Sequence, residues 1–185
     1  ASDVYKRQES SNRESIDIVE SLSKNNNGGQ FKWADSTEER NKLWQARHDA
    51  YYAVKSQGNN VRVYVTDICV PISNLVESIK FAEEEIKKFG INAPMVGHVG
   101  DGNFHVAIMY DPEKKESYEV IREFSDKLIE KALSLEGTIT GEHGVGIQKK
   151  EYLLKQHPDN ISVMKGIKKV LDPNNIMNPG KILDL

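Results

Sequence analysis

Between residues 61 and 140 the sequence predicts an α+β fold, an antiparallel sheet with helices on one face. Three observations carry it. A β-branched run, VRVYVTDICV, occupies 61–70 and reads as a strand. Two stretches, after Ser73 and from about 114 to 135, repeat apolar residues at helical spacing. A turn-forming GDGN separates two short strand-like segments at 93–99 and 104–110.

The chain has 185 residues, about one domain, with 38% hydrophobic and 29% charged residues and a net charge of −3. That balance is globular rather than disordered. It offers no basic field for a phosphate backbone, which argues against nucleic acid as a partner. No apolar run approaches the roughly 20 residues of a transmembrane helix. The single Cys69 cannot form an internal disulfide and reads as a small buried hydrophobe. The opening ASDVYKRQ joins no periodic pattern, so residues 1–14 are expected to be a disordered or non-native leader and 15–185 the folded domain, part of a longer protein.

Taken in order, Ile16, Val19 and Leu22 mark a first helix that NNNGG at 25–29 stops. Ser36 with Glu39 is a capping-box signature for a second, running through Leu43, Arg47, Ala50 and Val54 to the QGNN loop at 57–60. After the strand at 61–70, Ser73 is expected to cap a helix whose stripe is Leu75, Val76, Ile79, Ala82, Ile86 and Phe89, with Gly90 as its C-terminal glycine. The strands around GDGN come next, then a helix with Val120, Ile121, Phe124, Leu128 and Ala132 on one face, and a last strand at Thr138–Thr140. The order β-α-β-β-α-β is that of a ferredoxin-like sheet. Helices at about 148–156 and 159–171 and an extended NPGKIL tail complete the chain.

The chemistry concentrates in GHVGDGNFH. If Gly100 to Asn103 form the hairpin loop, Val99 pairs with Phe104, and His98 lies opposite His105 on one face, close enough for two imidazoles to share an ion. Val99, Phe104, Val106 and Ile108 then face the core. The plainer alternative is two solvated polar residues beside a turn. A third ligand is at hand in TGEHGVG: adjacent side chains of an extended segment diverge, so Glu142 can ligate while His143 serves as a base. A carboxylate offsets the ion's charge, and an imidazole exchanges protons near neutrality. Two His and a Glu are also a hydrolytic zinc set, but no His-Glu-x-x-His string occurs.

GHVGDGNFH, TGEHGVG and the terminal LDPNNIMNPGKIL, with LWQARHDA and TDICVPIS upstream, resemble the C-terminal cap domain of FAD-linked oxidases of the vanillyl-alcohol-oxidase type. Within that family LWQARHDAYYA and TDICVPIS are more similar to the flavin-dependent, cytochrome-coupled D-lactate dehydrogenases than to the D-2-hydroxyglutarate enzymes. The resemblance implies that His98, His105 and Glu142 hold Zn²⁺ or Mn²⁺, that His143 is the base near the flavin, that Arg47 grips a substrate carboxylate and that Asn178 approaches the FAD. Without it, Arg47 is a solvated charge on a helix and Asn178 a turn residue before Pro179. Where the 2-hydroxyglutarate enzymes carry a lysine this chain has Val65, which serves a second carboxylate poorly.

The same resemblance implies a D-2-hydroxy acid substrate, D-lactate before glycolate or 2-hydroxyglutarate, oxidised to its 2-oxo acid with hydride passing to flavin N5. Electrons then leave to a cytochrome, an electron-transfer protein or a quinone. The expected location is mitochondrial in a eukaryote, and cytoplasmic or at the inner membrane face in a bacterium. Nothing in the chain resembles a flavin-binding domain, so this segment alone is expected to be inactive. A metal-dependent hydrolase and a non-catalytic ferredoxin-like module are the readings from other classes.

Overall fold

The computed structural model describes residues 9–34, 36–56 and 61–185. The chain divides into two compact units, Ala1–Ala50 and Tyr51–Leu185, where the sequence predicts one body from residue 15 onward. Residues 1–8 of the expected leader, and the QGNN loop at 57–60, lie outside the described residues.

Helix α1, Glu9–Asn25, begins inside that leader, so residues 9–14 are helical. It stops where Gly28 donates its amide to Ser23 O, at a spot where a Cβ would strike the Ser23 side chain. Helix α2, Thr37–Lys55, opens on the predicted capping box. The Glu39 amide donates to Ser36 Oγ at 3.1 Å, and the Glu39 carboxylate accepts from the Ser36 amide at 3.3 Å.

In the second unit the run at 61–70 forms two strands in one register. Strands β1, Arg62–Val65, and β2, Ile68–Cys69, both lie antiparallel to β4, Asn103–Tyr110, pairing Tyr64 with Ile108 and Ile68 with Phe104. The ladder is interrupted at Thr66 and Asp67. Strand β3, Met95–His98, runs antiparallel along β4 as well. The expected strand at 138–140 shrinks to one bridge, Cys69 with Thr138. Helix α3, Leu75–Phe89, and helix α4, Lys115–Ser134, cover the face that carries Phe104, Val106 and Ile108. Phe89 and Phe124 meet edge to face between them at 5.8 Å. This is the α+β, ferredoxin-like arrangement read from the sequence.

Three local expectations give way. Ser73 does not cap α3: a 3-10 turn over Ile72–Asn74 leads in, and the N-cap is Asn74. The buried row of α3 is Leu75, Ser78, Ala82 and Glu85, leaving Val76 in solvent, and Glu85 is tolerated inside because Lys88 and Lys127 bind its two oxygens. Gly90 is the left-handed cap expected, at φ 61°. After α5, Lys150–Gln156, and α6, Ile161–Leu171, the tail turns rather than extends. Asn175, Asn178, Gly180 and Ile182 all have positive φ, and Ile182 donates its amide to Gly146 O at 2.7 Å.

Candidate metal centre

The hairpin between β3 and β4 turns one residue earlier than expected. Val99–Asp101 form a 3-10 turn closed by Gly102, so His98 pairs with Asn103, and Val96 pairs with His105. Gly102 is fixed there: Val70 donates its amide to Gly102 O, and a Cβ on Gly102 would meet Val70 O at 2.0 Å. Val99 consequently lies in solvent instead of the core. The displacement moves His98 by two positions along its partner strand, which preserves its face. His98 and His105 are therefore diagonal neighbours, their rings edge to face with centroids 5.8 Å apart.

Glu142 comes to them from the segment after Thr138. Its Oε1 lies 2.9 Å from His105 Nε2 and 3.4 Å from His98 Nε2. One ligand atom from each of the three residues lies within 4.8 Å of the other two, so the predicted triad converges. His143 is beside it, with Nε2 3.5 Å from Glu142 Oε1. Its ring stacks on that of His105, with centroids 5.0 Å apart and planes 7° from parallel. His105 is buried, whereas His143 is half exposed.

Asp67, which sequence reasoning missed, braces the segment that carries Glu142 and His143. Its buried carboxylate accepts the amides of Gly141, Glu142 and His143 at 3.0, 3.2 and 3.0 Å, together with the Thr140 hydroxyl. Three consecutive N–H groups wrapped around an anion form a nest, filled here by the protein's own side chain. Asn103 Nδ2 donates to the same carboxylate at 3.1 Å and Lys149 Nζ lies 3.4 Å away. Burial works against ionisation of Asp67. The Thr140 hydroxyl, the His143 amide, the Lys149 charge and the Glu142 amide outweigh it and hold the carboxyl far below the ordinary range. Burial likewise pulls the Lys149 ammonium below its usual value, partly countered by Asp67. The available signal was an acid alternating onto the His105 face inside a β-branched run, where a buried charge needs partners.

A second set, Asp67, His105 and His143, is also close enough to consider. It is the poorer site. Asp67's oxygens are engaged by these donors, and the His105 atom nearest to it, Nδ1 at 3.9 Å, is already bonded to Thr66 O at 2.9 Å.

Arg47 lies on α2, in the first unit, with its guanidinium over the Trp44 ring at 5.5 Å. Asn178 is an exposed turn residue at φ 48°, whose side chain accepts from Lys181 Nζ at 3.2 Å. Beside His143 a cleft of about 490 Å³ is lined by Val65, Asp67, Ile147, Lys149 and Lys181 among others. No helix among the described residues is long and apolar enough to cross a membrane.

Comparison with known proteins agrees with this architecture. The family described as FAD linked oxidases, C-terminal domain, matches residues 3–182. The probable mitochondrial D-lactate dehydrogenase of Danio rerio is 43% identical over 93% of this chain and 35% of its own length. The mitochondrial D-lactate dehydrogenase [cytochrome] of Arabidopsis thaliana is 39% identical over 92% of the chain and 30% of its own length. Glycolate oxidase subunit GlcD of Bacillus subtilis is 34% identical over 90% of the chain and 35% of its own length. The chain thus spans about a third of the length of the curated relatives it matches. Among solved structures, 4-ethylphenol oxidase from Gulosibacter chungangensis, in its isoeugenol complex, shares the fold with TM-score 0.50 and 20% identity, over 80% of this chain and 31% of that one. From its matched span and its relatives, this chain belongs to the FAD-linked oxidases, as their C-terminal domain.

Proposed function

We propose that this chain is the substrate- and metal-binding part of a flavin-dependent D-2-hydroxy-acid dehydrogenase whose substrate is D-lactate. The observation that carries the reading is the convergence of His98, His105 and Glu142. His105 donates Nδ1–H to the Thr66 carbonyl, which leaves the Nε2 lone pair facing a carboxylate oxygen at 2.9 Å. Two lone pairs at that distance repel unless a proton or a cation lies between them. A divalent ion such as Zn²⁺ or Mn²⁺ suits two imidazoles and a carboxylate, so the donor set fits. When bound, such an ion supplies Lewis acidity to the hydroxyl and carboxylate oxygens of a hydroxy acid, and FAD supplies the electron sink for the hydride.

The protein's own groups do the rest. His143, half exposed and held flat against His105, takes the hydroxyl proton. Arg47 binds the substrate carboxylate through its planar fork, and Asn178 approaches the flavin from the tail. Val65 and Ile147 give the cleft an apolar side, which favours a short monocarboxylate over 2-hydroxyglutarate. The names of the Danio rerio and Arabidopsis thaliana relatives support D-lactate before glycolate, and the cytochrome in the latter's name supports a cytochrome as acceptor. Both names describe mitochondrial proteins.

The test is flavin reduction in the full-length protein that contains this chain. D-lactate should bleach the flavin in a stopped-flow spectrometer faster than glycolate or D-2-hydroxyglutarate, and L-lactate should not. Hydrolysis of esters or amides without any flavin reduction would overturn the reading.

A further inference from the structure

The interruption of the strand at Thr66 has a specific cause. Thr66 and Val106 face each other across the β1–β4 register, and Thr66 donates its amide to Val106 O at 3.1 Å. In an antiparallel ladder such a pair exchanges two bonds, the second running from the Val106 amide to the Thr66 carbonyl. Here that second bond goes elsewhere. The Val106 amide donates to Thr66 Oγ at 2.9 Å, while the Thr66 carbonyl accepts from His105 Nδ1 at 2.9 Å. A hydroxyl has taken the carbonyl's place in the ladder, and the released carbonyl has turned to the imidazole.

We propose that Thr66 is a positioning residue for the metal centre: its hydroxyl substitutes in the ladder so that its carbonyl can fix His105 as the Nδ1–H tautomer with Nε2 toward Glu142. The inference rests on the metal reading above only for its consequence in binding; the tautomer stands apart from it. Thr66 and His105 are both buried, so water cannot readily stand in for either partner. Metal-bound imidazoles usually donate their second ring N–H to a carbonyl or carboxylate, which sets both the tautomer and the ring's orientation. The next residue, Asp67, anchors the segment bearing Glu142 and His143. Two consecutive residues therefore aim two of the three ligand-bearing segments, one through a carbonyl and one through a carboxylate. Without the hydroxyl, the Val106 amide reverts to the position-66 carbonyl and competes with the imidazole for it.

The experiment measures the His105 tautomer by ¹⁵N-histidine NMR on the full-length protein that contains this chain, free of metal and at a pH where the ring is neutral. The wild type should show Nδ1–H as the main form, with that proton protected from exchange. Thr66→Val should raise the Nε2–H fraction, and Thr66→Ser, which keeps the hydroxyl, should restore the wild-type spectrum. Zn²⁺ titration should then show about 10- to 100-fold weaker binding for Thr66→Val and near wild-type binding for Thr66→Ser. A wild-type ring that is mainly Nε2–H, or a tautomer unchanged by Thr66→Val, would overturn the proposal. Should Thr66→Val fail to fold, Thr66→Ala, which also lacks the hydroxyl, takes its place, and a tautomer unchanged there would overturn the proposal. If the tautomers behave as stated but the wild type takes up no Zn²⁺, the metal reading fails and the positioning role stands.

Discussion

The two faces of β4 obey different rules although their residues alternate along one strand. Phe104, Val106 and Ile108 point under α3 and α4 and are almost wholly buried. Their requirement is shape, and any apolar set of the right volume comes close to meeting it. Asn103 and His105 on the opposite face are buried too, and there polar groups are held by specific partners. Asn103 Nδ2 is held by Asp67 and the Ile68 carbonyl and His105 Nδ1 by the Thr66 carbonyl, while Asn103 Oδ1 has no partner among the described residues. The first face accounts for stability, and the second is the one to which we assign the chemistry. A change on one should register in a different measurement from a change on the other.

The sharpest contrast comes from adjacent residues. Phe104→Ala should lower unfolding free energy by about 3–5 kcal/mol, read from urea denaturation. His105→Ala removes a half-bonded ring and leaves the Thr66 carbonyl unpaired, a cost of about 1–3 kcal/mol. In the full-length enzyme it should nevertheless abolish turnover. Equal losses of stability would collapse the distinction between the faces.

His143→Ala sharpens the comparison within the site face, since its ring stands beside the ligands rather than among them. It should reduce kcat in the full-length enzyme by about 10²- to 10⁴-fold, the usual worth of a general base, with little change in unfolding. A fall in kcat of less than tenfold would remove His143 from that role.

Asp67→Asn probes the bracing carboxylate through pH. The folded-state pKa of Asp67 lies below its unfolded value of about 3.9. Its contribution is therefore complete well above pH 4 and is lost as pH falls through that value toward the folded pKa. The Asn variant should be less stable at pH 7 and lose less on acidification from pH 5 to pH 3. Parallel wild-type and variant profiles over that range would contradict the account.

The smallest effect is expected at Arg47, on α2. Arg47→Lys should raise KM for D-lactate by about tenfold and change kcat little, because a point charge replaces a bidentate fork. A fall in kcat with KM unchanged would assign Arg47 to the transition state instead.

The core face was legible because periodicity records burial directly. The order of elements came from Pro71, Gly90 and GDGN as punctuation. The shared face of His98 and His105 could be read because it depends on parity, which survived the altered turn, whereas Glu142 and His143 were picked from the Gly-rich TGEHGVG segment, which the fold brings beside them. The register itself was hidden, because the Val70 bond that fixes Gly102 is made across 32 residues of chain. Thr66 and Asp67 were hidden for the same reason. Their partners, His105, Val106, Glu142 and His143, are brought together only by the folded sheet, and a threonine in a β-branched run looks like any other strand former.

Metal content tests the central claim most directly. The full-length protein should be purified without chelators as wild type, His105→Ala and His143→Ala, and each analysed by inductively coupled plasma mass spectrometry. One divalent ion per chain is expected in the wild type and in His143→Ala, and none in His105→Ala. A wild type that holds no ion after incubation with Zn²⁺ or Mn²⁺, or a His105→Ala variant that keeps its ion, would contradict the account.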